Sequence, residues 1–151
     1  MSPDAPGSAD GPGYVDLHAH STASDGTLPP ERVIEAAHRR GLVAIALTDH
    51  DTVDGLMAAK EAGERIGVRV VPGVELSAFE DDHEIHLLAL HVTQSDALQA
   101  RLGELREMRQ RRARQIVARL NALGIAITIE EVLEQSAGGA VGRPHVARAL
   151  I

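Results

Sequence analysis

The chain has 151 residues, a net charge of −7, 1% aromatic residues and no cysteine. Few aromatic side chains and an acidic balance disfavour a protein that stacks nucleic-acid bases or binds duplex DNA. Without cysteine, any metal ion must be held by nitrogen and oxygen ligands.

The first 13 residues are rich in Pro, Gly, Ser, Ala and Asp, and they lack the basic and apolar regions of a signal peptide. This composition predicts a disordered leader over residues 1–13. No apolar run in the sequence approaches the length of a membrane span. We therefore expect a cytoplasmic protein without a membrane partner.

Strands and helices are predicted to alternate between Tyr14 and Val92. Polar and apolar residues alternate in the first segment, as expected of a strand. A later apolar run is typical of a buried parallel strand. The order predicts βαβ units, and hence an α/β fold with a parallel sheet. The predicted elements are a strand at 14–20, a helix at 31–40, a strand at 42–47, a helix at 53–66, a strand at 68–71 closed by Pro72-Gly73, and a strand at 84–92.

The remainder of the chain is predicted to be helical. Residues 96–123 form one long, arginine-rich amphipathic pattern. Thr128 and Glu131 have the spacing of a capping box, which indicates the start of a short helix. Gly138-Gly139 ends that helix, and Pro144 suits the first turn of another.

Two basic features have open alternatives. We interpret the arginines between Arg101 and Arg119 as a solvated helix face; the alternative is a wall that steers phosphate into a pocket. Gly142-Arg143-Pro144-His145 lies at a predicted helix start, where anions are favoured and Arg143 can clamp a phosphate. From physics alone, this phosphate contact and an ordinary basic cap with a solvated His145 are about equal.

Six side chains that can bind metal lie at or near the ends of predicted strands. His18 and His20 are two residues apart and therefore share one face of the first strand. His83 and His86 point to opposite faces of the fourth, so only one can enter a common site. Each residue alone has a simple explanation as a cap or turn, but recurrence at four successive segments favours one metal site, since parallel α/β folds build sites at this end of the sheet. The set is His18, His20, Asp25, His50, Glu75 and His86.

Zn, Mn and Fe suit histidine and carboxylate ligands without sulfur. Paired ions of this kind generate hydroxide near neutral pH and neutralise the charge on phosphoryl oxygens. The site therefore predicts hydrolysis of a phosphate ester.

Four segments, in this order and spacing, resemble the polymerase and histidinol phosphatase (PHP) family: Asp16-Leu17-His18-Ala19-His20-Ser21, Ser24-Asp25-Gly26, Thr48-Asp49-His50-Asp51 and Pro72-Gly73-Val74-Glu75-Leu76-Ser77. The later helices and Gly142-Arg143-Pro144-His145 resemble a bacterial phosphoesterase subgroup with a helical insertion. That resemblance implies action on nucleoside 3′,5′-bisphosphates or on the 5′ ends of short RNA.

The resemblance also implies a distorted (β/α)7 barrel with two or three divalent ions. By this resemblance, His18 and His20 would bind one ion, and Asp25 and His50 a second. Glu75 would bridge to a third ion, which His86 would also bind. Arg143 and His145 would contact the substrate phosphate.

The family has later ligands, a His near a Pro and an Asp-x-His, that are not found after His86 in this sequence. A closed α/β barrel usually needs at least ~200 residues. We therefore expect residues 14–93 to form the N-terminal half of the barrel, 94–141 the insertion, and 142–151 the start of a truncated returning segment. The alternative function is a non-catalytic metal-binding or interaction module, or an inactive fragment. Open sheet edges would favour self-association.

Overall fold

The computed structural model describes residues 13–81, 83–93 and 96–151. The predicted leader falls on residues 1–12, which lie outside the described residues, and on Gly13. Within this part of the chain, no helix combines the length and apolar character that crossing a membrane requires. The elements are β1 (Tyr14–Ala19), α1 (Pro30–Arg39), β2 (Leu42–Leu47), α2 (Leu56–Ile66), β3 (Arg69–Glu80), β4 (His83–Leu90), α3 (Asp96–Ala122), α4 (Ile129–Ser136) and α5 (Arg143–Ala149).

The four strands form one sheet in the order β1-β2-β3-β4. β1, β2 and the first part of β3 are parallel, which confirms the predicted βαβ units. Residues 44–47 of β2 are buried, and Ile34 of α1 and Ala59 of α2 are fully buried in the same core. The apolar run predicted this strand correctly because helices cover a parallel strand and remove its side chains from water.

β3 is twelve residues long and changes partner within its length. Residues 69–72 pair in parallel with β2, and the strand pairs antiparallel with β4 from Gly73 onward. The prediction of a strand closed by Pro72-Gly73 was therefore wrong, and the sheet is parallel only as far as Pro72. Pro72 is tolerated because a residue without an N–H stands where the ladder passes from one partner to the other. Its carbonyl accepts a hydrogen bond from the Val92 N–H at 3.1 Å.

α3 links two hydrophobic cores. Leu102 and Leu105 lie in the core beneath the sheet, whereas Ala113 and Val117 pack with α4 and α5 in a second core. The helix therefore ties α4 and α5 to the sheet, and its polar residues between the two contacts lie next to the strand ends.

α4 begins at the predicted capping box. Thr128 Oγ1 accepts a hydrogen bond from the Glu131 N–H at 3.2 Å, and the Glu131 carboxylate accepts one from the Thr128 N–H at 2.7 Å. Together these bonds satisfy two backbone donors that a helix start leaves unpaired.

Candidate metal centre

Six His, Asp and Glu side chains converge beside the ends of β1 and β2 and the hairpin of β3 and β4. They form three overlapping groups of three, and the donor atoms within each group lie within 4.8 Å of one another. The groups are His18, His20 and Glu75; His20, Asp25 and His50; and His50, Glu75 and His86. All six residues singled out from the sequence are thus brought together.

The backbone after β2 carries His50 to the side of β3. His50 forms a parallel bridge with Glu75, outside the named strands. The Glu75 N–H donates to the Asp49 carbonyl at 3.2 Å, and the Asp51 N–H donates to the Glu75 carbonyl at 3.0 Å. Two backbone bonds therefore set the distance between His50 and Glu75.

Glu75 lies at the centre of the cluster and is 4% exposed. Its Oε2 lies 2.9 Å from His18 Nε2 and 2.8 Å from His20 Nε2, and its Oε1 lies 2.7 Å from His86 Nδ1. Glu75 was expected just beyond a strand end, but it lies inside β3. The antiparallel hairpin explains how His86 reaches it.

Two ring nitrogens in the cluster have the character of metal donors. His20 Nε2 and His50 Nδ1 are buried without a hydrogen-bond partner among the residues that the structure describes. The 2.8 Å contact of His20 Nε2 with Glu75 therefore lacks hydrogen-bond geometry. Buried polar atoms are normally satisfied, and a cation between such nitrogens and a carboxylate would satisfy both. The donor set fits a divalent ion.

Four of the six cluster residues, His20, Asp25, His50 and Glu75, have shifted pKa values. Burial, assisted by the charge of Arg109, lowers the pKa of His50 to about 4, so this ring is neutral and able to ligate at pH 7. Burial also acts to lower the pKa of His20, but its hydrogen bond to Asp25 and the nearby carboxylates outweigh burial and raise it. Burial acts to raise the pKa values of Asp25 and Glu75, but contacts with the histidines lower both.

Asp49 is a buried carboxylate that the sequence analysis did not assign. It is 2% exposed and accepts hydrogen bonds at 2.7 Å from the Ser21 N–H, the Ser21 hydroxyl and the Ser24 hydroxyl. These bonds hold the turn that carries Asp25. The signal available in the sequence was its position directly after a buried strand.

Asp51 is fully buried and has a positive φ of 51°. Its carboxylate accepts hydrogen bonds from the Ser77 N–H at 2.8 Å and the Ser77 hydroxyl at 2.7 Å, and it forms an ion pair with Arg109. Asp51 does not cap the second helix, because α2 follows Gly55 and this N-cap makes no side-chain cap bond within the described ranges.

Three arginines of α3 point toward the cluster. Arg109 Nη2 donates to Ser77 Oγ at 2.7 Å, Arg106 Nη1 donates to the Asp51 carbonyl at 3.3 Å, and Arg112 pairs with Glu84. The solvated-face interpretation is therefore wrong for these three, although Arg101, Arg111, Arg114 and Arg119 are exposed. The missed signal was their spacing of three residues, which puts them on one side of a helix.

A cavity of about 390 Å³ adjoins the cluster and is lined by Asp25, His50, His86, Arg109, Gly142, Arg143, Pro144 and Ala147. Arg143 is largely exposed, and its Nη2 donates to Glu84 Oε2 at 2.8 Å. Burial acts to raise the pKa of Glu84, but its bonds to Arg112 and His86 and the charge of Arg143 lower it to about 2. Arg143 therefore stands at the cavity beside a carboxylate that is ionised at pH 7.

His145 is 1% exposed, contrary to the solvated alternative. Its Nδ1 accepts a hydrogen bond from the Gly142 N–H at 2.9 Å. His145 therefore caps the start of α5. Its bond occupies the Gly142 N–H, which an anion bound at this helix start would need. His145 is not one of the described residues that line the cavity next to the metal-ligand candidates.

The PHP domain family model matches residues 16–102. Similar curated proteins include the 5′-3′ exoribonuclease Rnm of Salmonella typhimurium, 40% identical over 139 residues, and the 3′,5′-nucleoside bisphosphate phosphatase of Chromobacterium violaceum, also 40% identical over 139 residues. The alignments cover 90% and 91% of this chain, and 47% and 49% of those proteins. The chain thus spans about half the length of these relatives.

Two solved structures superpose on most of the chain. An amidohydrolase from Chromobacterium violaceum, with bound sulfate and no metal, has a TM-score of 0.84 at 40% identity. A protein from Bifidobacterium adolescentis assigned as a metal-dependent phosphoesterase has a TM-score of 0.82 at 36% identity. Each match covers 90% of this chain and 49% of the other. The fold described above is therefore also the fold of half of each neighbour.

Proposed function

Because this chain belongs to the PHP domain family, we propose that it functions as a metal-dependent phosphoesterase that hydrolyses phosphate esters of nucleotides or short RNA. The observation that carries the proposal is the set of three overlapping ligand groups around Glu75. Histidine and carboxylate ligands without sulfur suit Mn, Zn or Fe. Groups that share residues suit two or three ions.

The proposed ligands are the six clustered residues. His18, His20 and Glu75 would hold one ion, and His50, Glu75 and His86 another. Asp25 would join His20 and His50 around a third. When bound, such ions lower the pKa of a coordinated water and neutralise charge on the phosphoryl oxygens.

The cavity beside these ligands supports a phosphate ester as the substrate. Arg143 lines it, and an exposed guanidinium can form paired hydrogen bonds with phosphate oxygens. Aromatic residues make up only 1% of the chain, so phosphate contacts are a better basis for recognition than base stacking. The names of the two relatives, a nucleoside bisphosphate phosphatase and an exoribonuclease, support nucleotide substrates. The sulfate in the Chromobacterium violaceum structure supports binding of a tetrahedral oxyanion.

The test is to measure bound metal and catalysis on the same purified protein. Metal content is determined by mass spectrometry after loading with Mn. Phosphate release from adenosine 3′,5′-bisphosphate and cleavage of a 5′-phosphorylated RNA oligonucleotide are then followed. We expect metal binding and turnover of at least one substrate.

The matched variants are His50→Ala, in the cluster, and His38→Ala, at an exposed position of α1. His50→Ala should lose metal and turnover, whereas His38→Ala should keep both. Metal binding without turnover would favour the alternative of a metal-binding module. Turnover that survives His50→Ala would contradict the site.

A further inference from the structure

The turn that carries Asp25, residues 21–26, is contacted by a segment that lies much later in the chain. Arg148 of α5 donates from Nη2 to the Asp25 carbonyl at 2.6 Å, although the two residues are 123 positions apart. Just before α5, the Ala140 N–H donates to the Ala23 carbonyl at 2.9 Å. One segment of the chain therefore holds two backbone carbonyls of this turn.

On its other side, the turn is fixed to the end of β2. Asp49 accepts hydrogen bonds from Ser21 and Ser24, both of which are buried. The Gly26 N–H donates to the Ser21 carbonyl at 2.9 Å and closes the turn. The β2 side thus holds the turn through its serines, whereas Arg148 holds the backbone of Asp25 itself.

The position of this backbone decides where the Asp25 carboxylate lies. Its Oδ1 lies 2.8 Å from His20 Nδ1, and its Oδ2 lies 3.7 Å from His50 Nε2. An aspartate side chain is short, so a shift of the backbone displaces the carboxylate oxygens as well. Asp25 belongs to the ligand group with His20 and His50 only, and the group of His50, Glu75 and His86 contains no residue of the turn. A displaced turn should therefore disturb one ligand group and leave another intact.

We propose that Arg148 is a positioning residue for the metal ion that Asp25 would bind, and that it acts by fixing the backbone of the turn. The inference rests on the proposed metal ligands but not on the proposed substrate. A partner that orients a metal ligand increases the affinity, because the ligand is already in place when the ion binds. Packing of α5 is thereby coupled to the occupancy of one ion.

The competing explanation is that Arg148 serves only α5. It lies in the last turn of this helix, where a cation interacts favourably with the helix dipole. In that case its removal lowers the free energy of unfolding but leaves the metal affinity of the folded protein unchanged. Val146→Ala is the matched control, because Val146 is 5% exposed in the second core and its truncation destabilises α5 without removing a contact to the turn.

The surroundings of Arg148 allow its side chain to be shortened. Arg148 is half-buried, and it lines a cavity of about 190 Å³ together with Thr22 and Ser24. Water can therefore reach the Asp25 carbonyl in Arg148→Ala, so this carbonyl is not left buried without a partner. We expect the variant to fold.

The experiment titrates the metal-free protein with Mn and follows binding by calorimetry, while urea denaturation measures stability separately. Arg148→Ala should raise the Kd for one Mn ion by about tenfold or more. Arg148→Lys should recover part of this loss, because an ammonium group can still donate to the Asp25 carbonyl. Val146→Ala should lose stability and keep the wild-type Kd.

Two further backgrounds test whether Arg148 acts through Asp25. In Asp25→Asn, addition of Arg148→Ala should cause no further rise in the Kd, because the ligand that Arg148 positions is already impaired. In His86→Ala, whose ligand group does not contain Asp25, Arg148→Ala should have its full effect. An unchanged Kd in Arg148→Ala would overturn the proposal, and so would a full additional loss in the Asp25→Asn background.

The outcomes separate this inference from the proposed function. Mn binding that depends on Arg148, in a protein that hydrolyses no phosphate ester, would refute the proposed function and leave the inference standing. Turnover together with Mn binding that Arg148→Ala does not change would do the reverse. A wild-type protein that binds no Mn would overturn both.

Discussion

Glu75 Oε1 lies 2.7 Å from His86 Nδ1 across the β3–β4 hairpin. His86 pairs directly with Ser77, so Glu75 and His86 are diagonal neighbours on adjacent antiparallel strands. Glu75 belongs to two of the three ligand groups, whereas His86 and His18 belong to one each. The hairpin therefore places a shared carboxylate between histidines from two strands.

The metal content of a variant should depend on how many of the three ligand groups contained the substituted residue. Glu75→Gln keeps the size of the side chain but removes its charge, so it should lose more metal per chain than His18→Ala. The measurement is metal content after loading with Mn and removal of excess ion. Glu80→Gln, at an exposed position of the same strand, is the control and should keep the wild-type content. Equal losses in Glu75→Gln and His18→Ala would argue against overlapping groups.

The buried pair of Asp51 and Arg109 should be important for stability. Asp51→Asn keeps the shape and tolerates the positive φ, but it leaves the guanidinium without its counter-ion. Loss of one partner of a buried pair costs about 3–5 kcal/mol of unfolding free energy. Urea denaturation measures the change. Asp54→Asn, at an exposed position, should stay within about 0.5 kcal/mol of wild type. A loss below about 1 kcal/mol for Asp51→Asn would mean that water screens the pair.

His145, the buried residue that caps α5, should make the free energy of unfolding depend on pH. Burial, with the charge of Arg148, lowers the pKa of His145 below its ordinary value of 6.5. Below about pH 6.5 the unfolded chain binds a proton more readily than the folded chain, so this residue's contribution to stability is lost as pH falls. His145→Gln can still accept from the Gly142 N–H and does not titrate.

Urea denaturation of wild type and His145→Gln at about pH 7.5 and about pH 5.5 measures this effect. Wild type should lose more stability than the variant between the two conditions. His38→Gln, at an exposed histidine, should behave as wild type. A loss of the same size in wild type and His145→Gln would contradict the assignment.

Close packing of Gly139 against the turn that carries Asp25 should make alanine unfavourable there. A Cβ at Gly139 would lie 2.6 Å from the Thr22 carbonyl and 2.8 Å from the Ala23 carbonyl, both backbone atoms. The turn must then shift, at a cost of about 1–3 kcal/mol, and metal content should fall. Gly103→Ala is the opposite case, because its Cβ meets nothing within 4 Å in the described part of the chain. It should stabilise α3 by about 0.5–1 kcal/mol. Urea denaturation and metal analysis of both variants test this contrast.

Local patterns in the sequence were sufficient for the βαβ units and for choosing the clustered side chains. His18 and His20 are two residues apart, a spacing that puts both on one face because strand side chains alternate. The apolar run at 42–47, of which residues 44–47 are buried, has a composition typical of a covered strand. The capping box at Thr128 and Glu131 depends on residues three apart. Each of these features is decided by neighbours within a few residues.

The tertiary structure alone decided the partner change in β3 and the contacts of Asp51 and Arg109. Those two residues are 58 positions apart, and they meet only because α3 packs against the sheet through Leu102 and Leu105. The sequence by itself determined which side chains can bind metal and which strands carry them. Whether an arginine faces water or a buried carboxylate depends on where its helix docks, because a short-range periodicity carries no information about the surface it will meet.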